Sequence, residues 1–411
     1  MAKTQPEPGP YNVILISFDT MRRDVLHCYG CRKRTSPNLD RLAAEGVLFT
    51  DAIVNCGWTL PQHITMLTGL HPLRHKVYYV VRKCRLAARF RTLAEIFREH
   101  GYLTFGFANT NRYGGGWEYG FWRGMRHYTT VFPGNNMMEQ VVEPVTWAMR
   151  MAGVSPFFIY IHTNDTHEPF AASEPFGSKW GSSYRNRYEG EVTYVDHYFG
   201  EILKSLDKLR LKGRTLVVAT SDHGSEFQEH GFLEKKVNLY EELVQVPLIL
   251  RLPGVLPARK KVRGLCETMD IAPTILDVCG LPVHEQMDGR SLLGRIRGRR
   301  TAKTAAVVAH TLHEKVFFYE HFMIRTERYK YLRCRPFYRD PRQLRSRWGG
   351  DVERRFERLA SVAARRGRFY EELYDLKLDP AETTNLRTRK PALAGKLRRQ
   401  LSATVRALTK K

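Results

Sequence analysis

Asp19, Thr59, Asp222 and His223 are the residues whose types and places could do chemistry together. Asp19 closes an apolar run, Asn12–Phe18, and Asp222 with His223 closes a second, Thr215–Thr220. Thr59 opens a helical stretch within Gly57–His63. Two carboxylates, an imidazole and a hydroxyl can therefore meet at one edge of a parallel sheet, the edge where open α/β folds bind their ligands. The set suits a divalent metal that activates a hydroxyl nucleophile. A carboxylate beside an imidazole favours Mn²⁺ or Zn²⁺, whereas an all-oxygen shell would favour Ca²⁺ or Mg²⁺. At a helix N-terminus the Thr59 hydroxyl lies in a positive field that stabilises an alkoxide and an incoming anion. The competing expectation is that Thr59 merely caps its helix, as threonine often does.

Further polar groups follow the strands. His162, Asp165 and His167 lie just past the apolar run Phe157–Ile161, and His230 comes seven residues after His223. They are read as substrate contacts or as a general acid for the leaving group, with a second metal site as the alternative. Lys235 and Lys236 are expected to hold an oxygen of a sulfate- or phosphate-type group.

The elements that must carry these residues alternate between strand and helix. Ser36-Pro37 starts a helix that Gly46 ends, and the strand Val47–Thr50 follows. Thr92 caps a second helix, stopped at Gly101 before the strand Tyr102–Phe107. Tyr188, Val192, Val195, Phe199, Ile202, Leu206 and Leu209 recur at helical spacing. Val246–Leu250 reads as a strand and Asp270–Val278 as a short helix. This is a doubly wound α/β pattern, with a large, mostly parallel sheet between helices. After about residue 300 the pattern changes. Val316–Ile324 and Tyr329–Arg333 read as a hairpin, Gln343–Gly367 as a charged exposed insertion, and Glu371–Leu376 as a further strand. The expected organisation is a flexible segment 1–10, a catalytic domain 11–305, a C-terminal α+β subdomain 306–400 and a basic tail 401–411.

Composition bounds the classes. The 411 residues are 43% hydrophobic, which supports a large core and argues against global disorder. No apolar run approaches the roughly 18 residues of a membrane span. The first ten residues lack the apolar centre of a secretory signal, so a cytoplasmic protein is expected. The seven cysteines are scattered; Cys28 and Cys31 form a lone C-x-x-C, and reduced thiols are expected. Net charge is +24, from 66 Lys and Arg against 42 Asp and Glu. Basic clusters at Arg82–Arg91, Arg295–Lys303, Arg325–Arg347 and Arg387–Lys411 would attract anionic partners: phosphorylated or sulfated small molecules, lipid or glycan esters, or an anionic membrane surface. No nucleic-acid-binding signature accompanies them, so no specific nucleic-acid partner is expected.

Several stretches resemble the sulfatase branch of the alkaline phosphatase superfamily. They are Leu15–Asp24, Thr35–Gly46, Trp58–Gly69, Thr220–Gly224 and Glu229–Gly231, continued by Tyr240–Glu242, Val246–Leu248, Asp270–Thr274, Tyr329–Tyr331, Glu372–Leu376, Asp379-Pro380 and Asn385-Leu386. The resemblance implies an alkaline phosphatase-like fold, one divalent metal held by Asp19, Asp222 and His223 with Thr59, and a nucleophile at position 59. It also implies that His167 and Lys235 contact the transferred group or the leaving oxygen, with Lys236 as the alternative to Lys235.

The departures are informative. Sulfatases carry Cys or Ser, matured to formylglycine, within Cys-x-Pro-x-Arg; this chain reads Thr59-Leu60-Pro61-Gln62-His63. Threonine cannot undergo that maturation, His63 stands where the motif has Arg, and Cys56 is out of register. A threonine nucleophile resembles that of the phosphotransferases and phosphodiesterases of the superfamily. Thr20 replaces the second Asp of the usual pair, which further favours Mn²⁺ or Zn²⁺. The leading expectation is a metal-dependent hydrolase or transferase of phosphate-type esters working through Thr59. One alternative is a sulfuric ester hydrolase without formylglycine. Another is a catalytically weak relative that binds anionic lipid or glycan.

Overall fold

The computed structural model describes residues 10–78, 84–108, 119–130, 136–231, 233–234, 238–299, 304–313, 319–336 and 369–410. Its main sheet contains β1 (Asn12–Phe18), β2 (Val47–Ile53), β3 (Leu103–Ala108), β4 (His127–Thr129), β5 (Phe157–Thr163) and β6 (Thr215–Ser221). A small separate pair, β7 (Glu226–Phe227) and β8 (Leu233–Glu234), follows; β9 (Gln245–Val246), β10 (Leu248–Arg251) and β11 (Lys260–Glu267) return to the main sheet. The order is β11-β2-β10-β6-β1-β5-β3-β4, with β9 on β2. β10 runs antiparallel to both β2 and β6, whereas β1, β5, β6, β3 and β4 run parallel.

β1 is apolar along its length because both of its faces are covered. Val13 and Leu15 pack with Phe49, Leu60 and Ile64 on one side. Ile14, Ile16 and Phe18 pack with Val141, Val192 and Phe199 on the other. Those last residues come from helices Met137–Ala152 and Tyr184–Lys208. The long helix was legible from its spacing. The helix Met137–Ala152 was not assigned, although Met137, Met138, Val141, Val145, Ala148, Met149 and Ala152 make its buried stripe. The single strand expected over Val246–Leu250 is two, because Pro247 separates them and has no N–H for the ladder. Thr92 does cap its helix, in a reciprocal box with Glu95.

The C-terminal unit is a four-stranded antiparallel sheet, β12 (Ala306–His313), β13 (Tyr319–Thr326), β14 (Tyr329–Pro336) and β15 (Tyr370–Asp375), in sequential order. The hairpin turn is Glu327-Arg328, tighter than the four-residue turn expected. Residues 401–410, expected as a basic tail, continue a helix, Pro391–Lys410, that buries Ala394, Leu397 and Leu401 against Ile324, Tyr331 and Leu373. Most of the expected insertion Gln343–Gly367 and segment 1–10 lies outside the described residues. Among the described residues no helix is long and apolar enough to cross a membrane.

The two sheets are joined by buried charge. Lys330 on β14 is fully buried, with Nζ 3.1 Å from Glu241 Oε1 and 2.9 Å from Glu382 Oε1. Arg325 reaches Glu241 as well, at 3.1 Å. Burial pushes the Glu241 carboxyl up, but Lys330 and Arg325 beside it outweigh that and hold it well below the usual carboxylate range. Removing one partner of such a group strands the others. Lys330→Ala is predicted to cost about 3–5 kcal/mol in denaturant unfolding; a loss below about 1 kcal/mol would show that the cluster does not hold the sheets together.

Candidate active site

β1 and β6 pair in a register that sets Phe18 opposite Ser221. The next residue of each strand is a carboxylate, so Asp19 and Asp222 leave the sheet side by side, both completely buried. The loops are tied around them. The Ser221 hydroxyl donates to the Phe18 carbonyl at 2.6 Å and accepts from Met21 N at 3.0 Å. The Thr20 hydroxyl donates to the Thr166 carbonyl at 2.5 Å, and the Thr166 hydroxyl donates to the Asp19 carbonyl. Thr20, with φ of 58°, thus spends its side chain on the scaffold rather than replacing a metal-binding carboxylate. Gly224 is required for close approach: a Cβ there would lie 1.8 Å from the Glu242 carbonyl oxygen.

His223 Nδ1 lies 2.8 Å from the Gly224 carbonyl. A carbonyl only accepts, so Nδ1 carries a proton, and Nε2 is the ring atom turned toward the carboxylates. That atom is 3.5 Å from Asp19 Oδ1, 3.5 Å from Asp222 Oδ2 and 3.2 Å from Thr59 Oγ1. Two buried carboxylates converging on one imidazole nitrogen form a donor set that a cation would suit. Ligands about 2.0–2.2 Å from a tetrahedral ion stand roughly 3.3–3.6 Å apart, the spacing seen here. Asp19, Asp222, His223 and Thr59 therefore fit a divalent metal.

Thr59 is the first helical residue of Thr59–Thr68, and Trp58 occupies the cap position. The capping expectation for Thr59 gives way to a hydroxyl pointed at His223, on a helix of ten residues whose N-terminus faces the cluster. Cys56 is buried, and burial pushes its thiol up to about 12, which leaves it without nucleophilic thiolate.

Around this centre stand His63, four residues into the Thr59 helix, and His162, from the end of β5. His63 Nε2 is 3.5 Å from Asp222 Oδ2, and His162 Nε2 is 3.9 Å from Asp19 Oδ2. Tyr160, which the sequence reading passed over, hydrogen bonds His63 Nδ1. Its signal was available: a hydroxyl inside an apolar strand, on the same face as His162 two residues on.

Other expected residues have contacts of their own. Asp165 is fixed at the N-terminus of Met137–Ala152, accepting from Met137 N at 2.6 Å and Met138 N at 3.1 Å. His167 is half-buried on the turn after β5, with Nδ1 2.9 Å from the Glu168 carbonyl. His230 stacks on Tyr240 at 3.7 Å, with Nε2 3.4 Å from Glu242, in a cluster distinct from Asp19 and Asp222. Lys235 and Lys236 lie outside the described residues. A cavity of about 700 Å³ lined by Arg22, Asp24, Glu241, Arg325 and Arg328 is not lined by the Asp19, Thr59, Asp222 and His223 group.

Comparison with known proteins gives matching assignments. Residues 11–281 match the Sulfatase family, and residues 228–345 match the C-terminal part of N-sulphoglucosamine sulphohydrolase. The chain is similar to N-acetylgalactosamine-6-sulfatase of Canis lupus familiaris, 30% identical over 351 residues, covering 71% of this chain and 67% of that relative. The match thus spans about two thirds of that relative's length. In fold it is similar to a 2-O GAG sulfatase, with a TM-score of 0.77 at 21% identity over 97% of this chain and 93% of the other. It is also similar in fold to the phosphonate monoester hydrolase of Agrobacterium radiobacter, with a TM-score of 0.75 at 21% identity over 97% and 96%.

Asp165 has an electrostatic neighbour, Glu191 on helix Tyr184–Lys208. Burial, and then the Asp165 charge, push Glu191 up to about 8. A carboxyl whose folded value lies above its unfolded one favours folding when protonated. That contribution is complete below about pH 4.5 and is lost as pH rises through about 8. Glu191→Gln is predicted to flatten this fall and to exceed the parent in stability at pH 9, read by thermal unfolding across pH. Equal pH profiles would contradict it.

Proposed function

The chain belongs to the sulfatase family of ester hydrolases, and from that premise we propose that it cleaves sulfate-type esters of an anionic, glycan-like substrate with Thr59 as nucleophile. The observation carrying this reading is the Thr59 hydroxyl at a helix N-terminus, 3.2 Å from His223 Nε2 and beside two buried carboxylates. The sulfated-substrate part rests on the family match and on the sulfatase relatives.

Asp19, Asp222, His223 and Thr59 would hold one divalent metal, with Mn²⁺ or Zn²⁺ suited to the mixed nitrogen and oxygen donors. Bound there, it would lower the hydroxyl pKa and polarise an oxygen of the ester. The residues do the rest. Thr59 Oγ1, its proton released to solvent, forms a bond to sulfur as the bond to the alcohol oxygen breaks. The alcohol leaves with a proton, and His167 is the proposed donor. Water then attacks sulfur, sulfate departs and the threonine hydroxyl is restored. Lys235 or Lys236 would hold a non-bridging oxygen. The basic surface would draw in the anionic substrate.

A second reading has its own support. Threonine cannot form the aldehyde hydrate that releases sulfate by elimination, so the covalent ester must be opened by water or a second alcohol. A phosphothreonine meets that requirement through in-line attack at phosphorus, which favours phosphate-type esters and admits transfer as well as hydrolysis.

Thr59→Ala is predicted to lower turnover by roughly 10³-fold or more while leaving the circular dichroism spectrum unchanged. Undiminished turnover would remove Thr59 from the mechanism. On paired substrates, faster cleavage of p-nitrophenyl sulfate than of bis-p-nitrophenyl phosphate is expected; the reverse order would establish the phosphate reading.

A further inference from the structure

The two oxygens of Asp222 are used differently. Oδ1 accepts the backbone N–H of Thr20 at 3.2 Å and of His223 at 2.9 Å. Oδ2 is buried and accepts no hydrogen bond. It points between two imidazoles, 3.5 Å from His223 Nε2 and 3.5 Å from His63 Nε2. His63 in turn meets His162 edge to face, with ring centroids 4.2 Å apart. Donor atoms of His63, His162 and Asp222 all lie within 4.8 Å of one another, as do those of Asp19, Asp222 and His223. The two sets share only Asp222.

From this juxtaposition we propose a second divalent cation, held by His63, His162 and Asp222, with Asp222 bridging it to the first. The proposal rests on the one-metal reading above and extends it.

Three physical points support the site. A direct His63–Asp222 hydrogen bond would be poor, since 3.5 Å exceeds the usual 2.7–3.2 Å, whereas about 3.4 Å is the separation of two ligands on one tetrahedral ion. Two imidazoles and one carboxylate oxygen are also the donor set of open zinc sites, which keep a fourth position for water or substrate. Finally, Tyr160 bonds His63 at Nδ1 and so leaves Nε2 aimed at Asp222, the role of an outer partner that orients a ligand. The exchange at position 63 then has a reason. Where the family motif carries the fixed positive charge of Arg, this chain carries a neutral ligand, and a bound cation would restore the charge. Two cations bridged by Asp222 would face the non-bridging oxygens of an anionic ester from two sides.

The test is a metal count. Purified full-length protein is stripped with chelator, equilibrated with Zn²⁺ or Mn²⁺, and assayed by mass spectrometry of the metal. The wild type is predicted to hold two ions per chain, His162→Ala and His63→Ala one each, and Asp222→Asn none, with circular dichroism reporting the fold. In the Mn²⁺ form, paramagnetic resonance should show exchange-coupled ions in the wild type, a readout independent of any variant's folding. A single ion per chain with an uncoupled spectrum overturns the second site and leaves the first. No bound ion overturns both.

Discussion

Two carboxylates, Asp19 and Asp222, emerge from adjacent parallel strands at the same level and are buried together. Burying like charges side by side is costly unless positive charge compensates them. The surrounding structure enforces that burial. Ser221 stitches the two strand ends, Thr20 and Thr166 lock the β1 and β5 loops to each other, and Gly224 lets the chain pass against the Glu242 carbonyl. His223 is turned by its bond to the Gly224 carbonyl so that its Nε2 joins the same point. The polypeptide thus holds its donors converged on a place that a cation would fit.

That place also explains the conduct of Thr59. Its hydroxyl is neither a cap nor a surface group; it is the only alcohol among the four converging donors. The family assignment and the residue at this position pull in different directions. Relatives name sulfate esters, while a threonine must release its product by attack at sulfur or phosphorus rather than by elimination. The exchanges at Thr59 and His63 fall on one helix, one turn apart, and both face the Asp222 carboxylate region.

Much of this was legible in the sequence, for identifiable reasons. Asp19 and Asp222 each follow a mostly apolar run, and such runs are strands covered on both faces, so their ends could reach one sheet edge. The long helix over Tyr184–Lys208 and the Thr92 cap followed from spacing and from the capping pattern. What was hidden depends on tertiary partners. Asp165 looks like a site residue in the run from His162 to His167, but it is taken by the N–H groups of a helix that the sequence reading had not assigned. His230 follows the catalytic strand closely, yet stacking on Tyr240 holds it in another cluster. Residues 401–411 carry Arg406, Lys410 and Lys411 and read as a basic tail, but Leu401 and the buried stripe before it extend the helix over 401–410. Tyr160 reads first as core, as a buried aromatic in a strand ordinarily is; its place on one face with His162 is legible in the sequence, whereas its contact with His63 depends on how the helix docks.

The account stands or falls on a cation at the meeting point of Asp19, Asp222, His223 and Thr59. Anomalous diffraction from crystals grown with Mn²⁺ or Zn²⁺ tests this directly. A peak about 2.0–2.2 Å from donor atoms of all four residues is the expected result. Carboxylates balanced instead by a lysine or arginine side chain, with no anomalous peak between them, would contradict it.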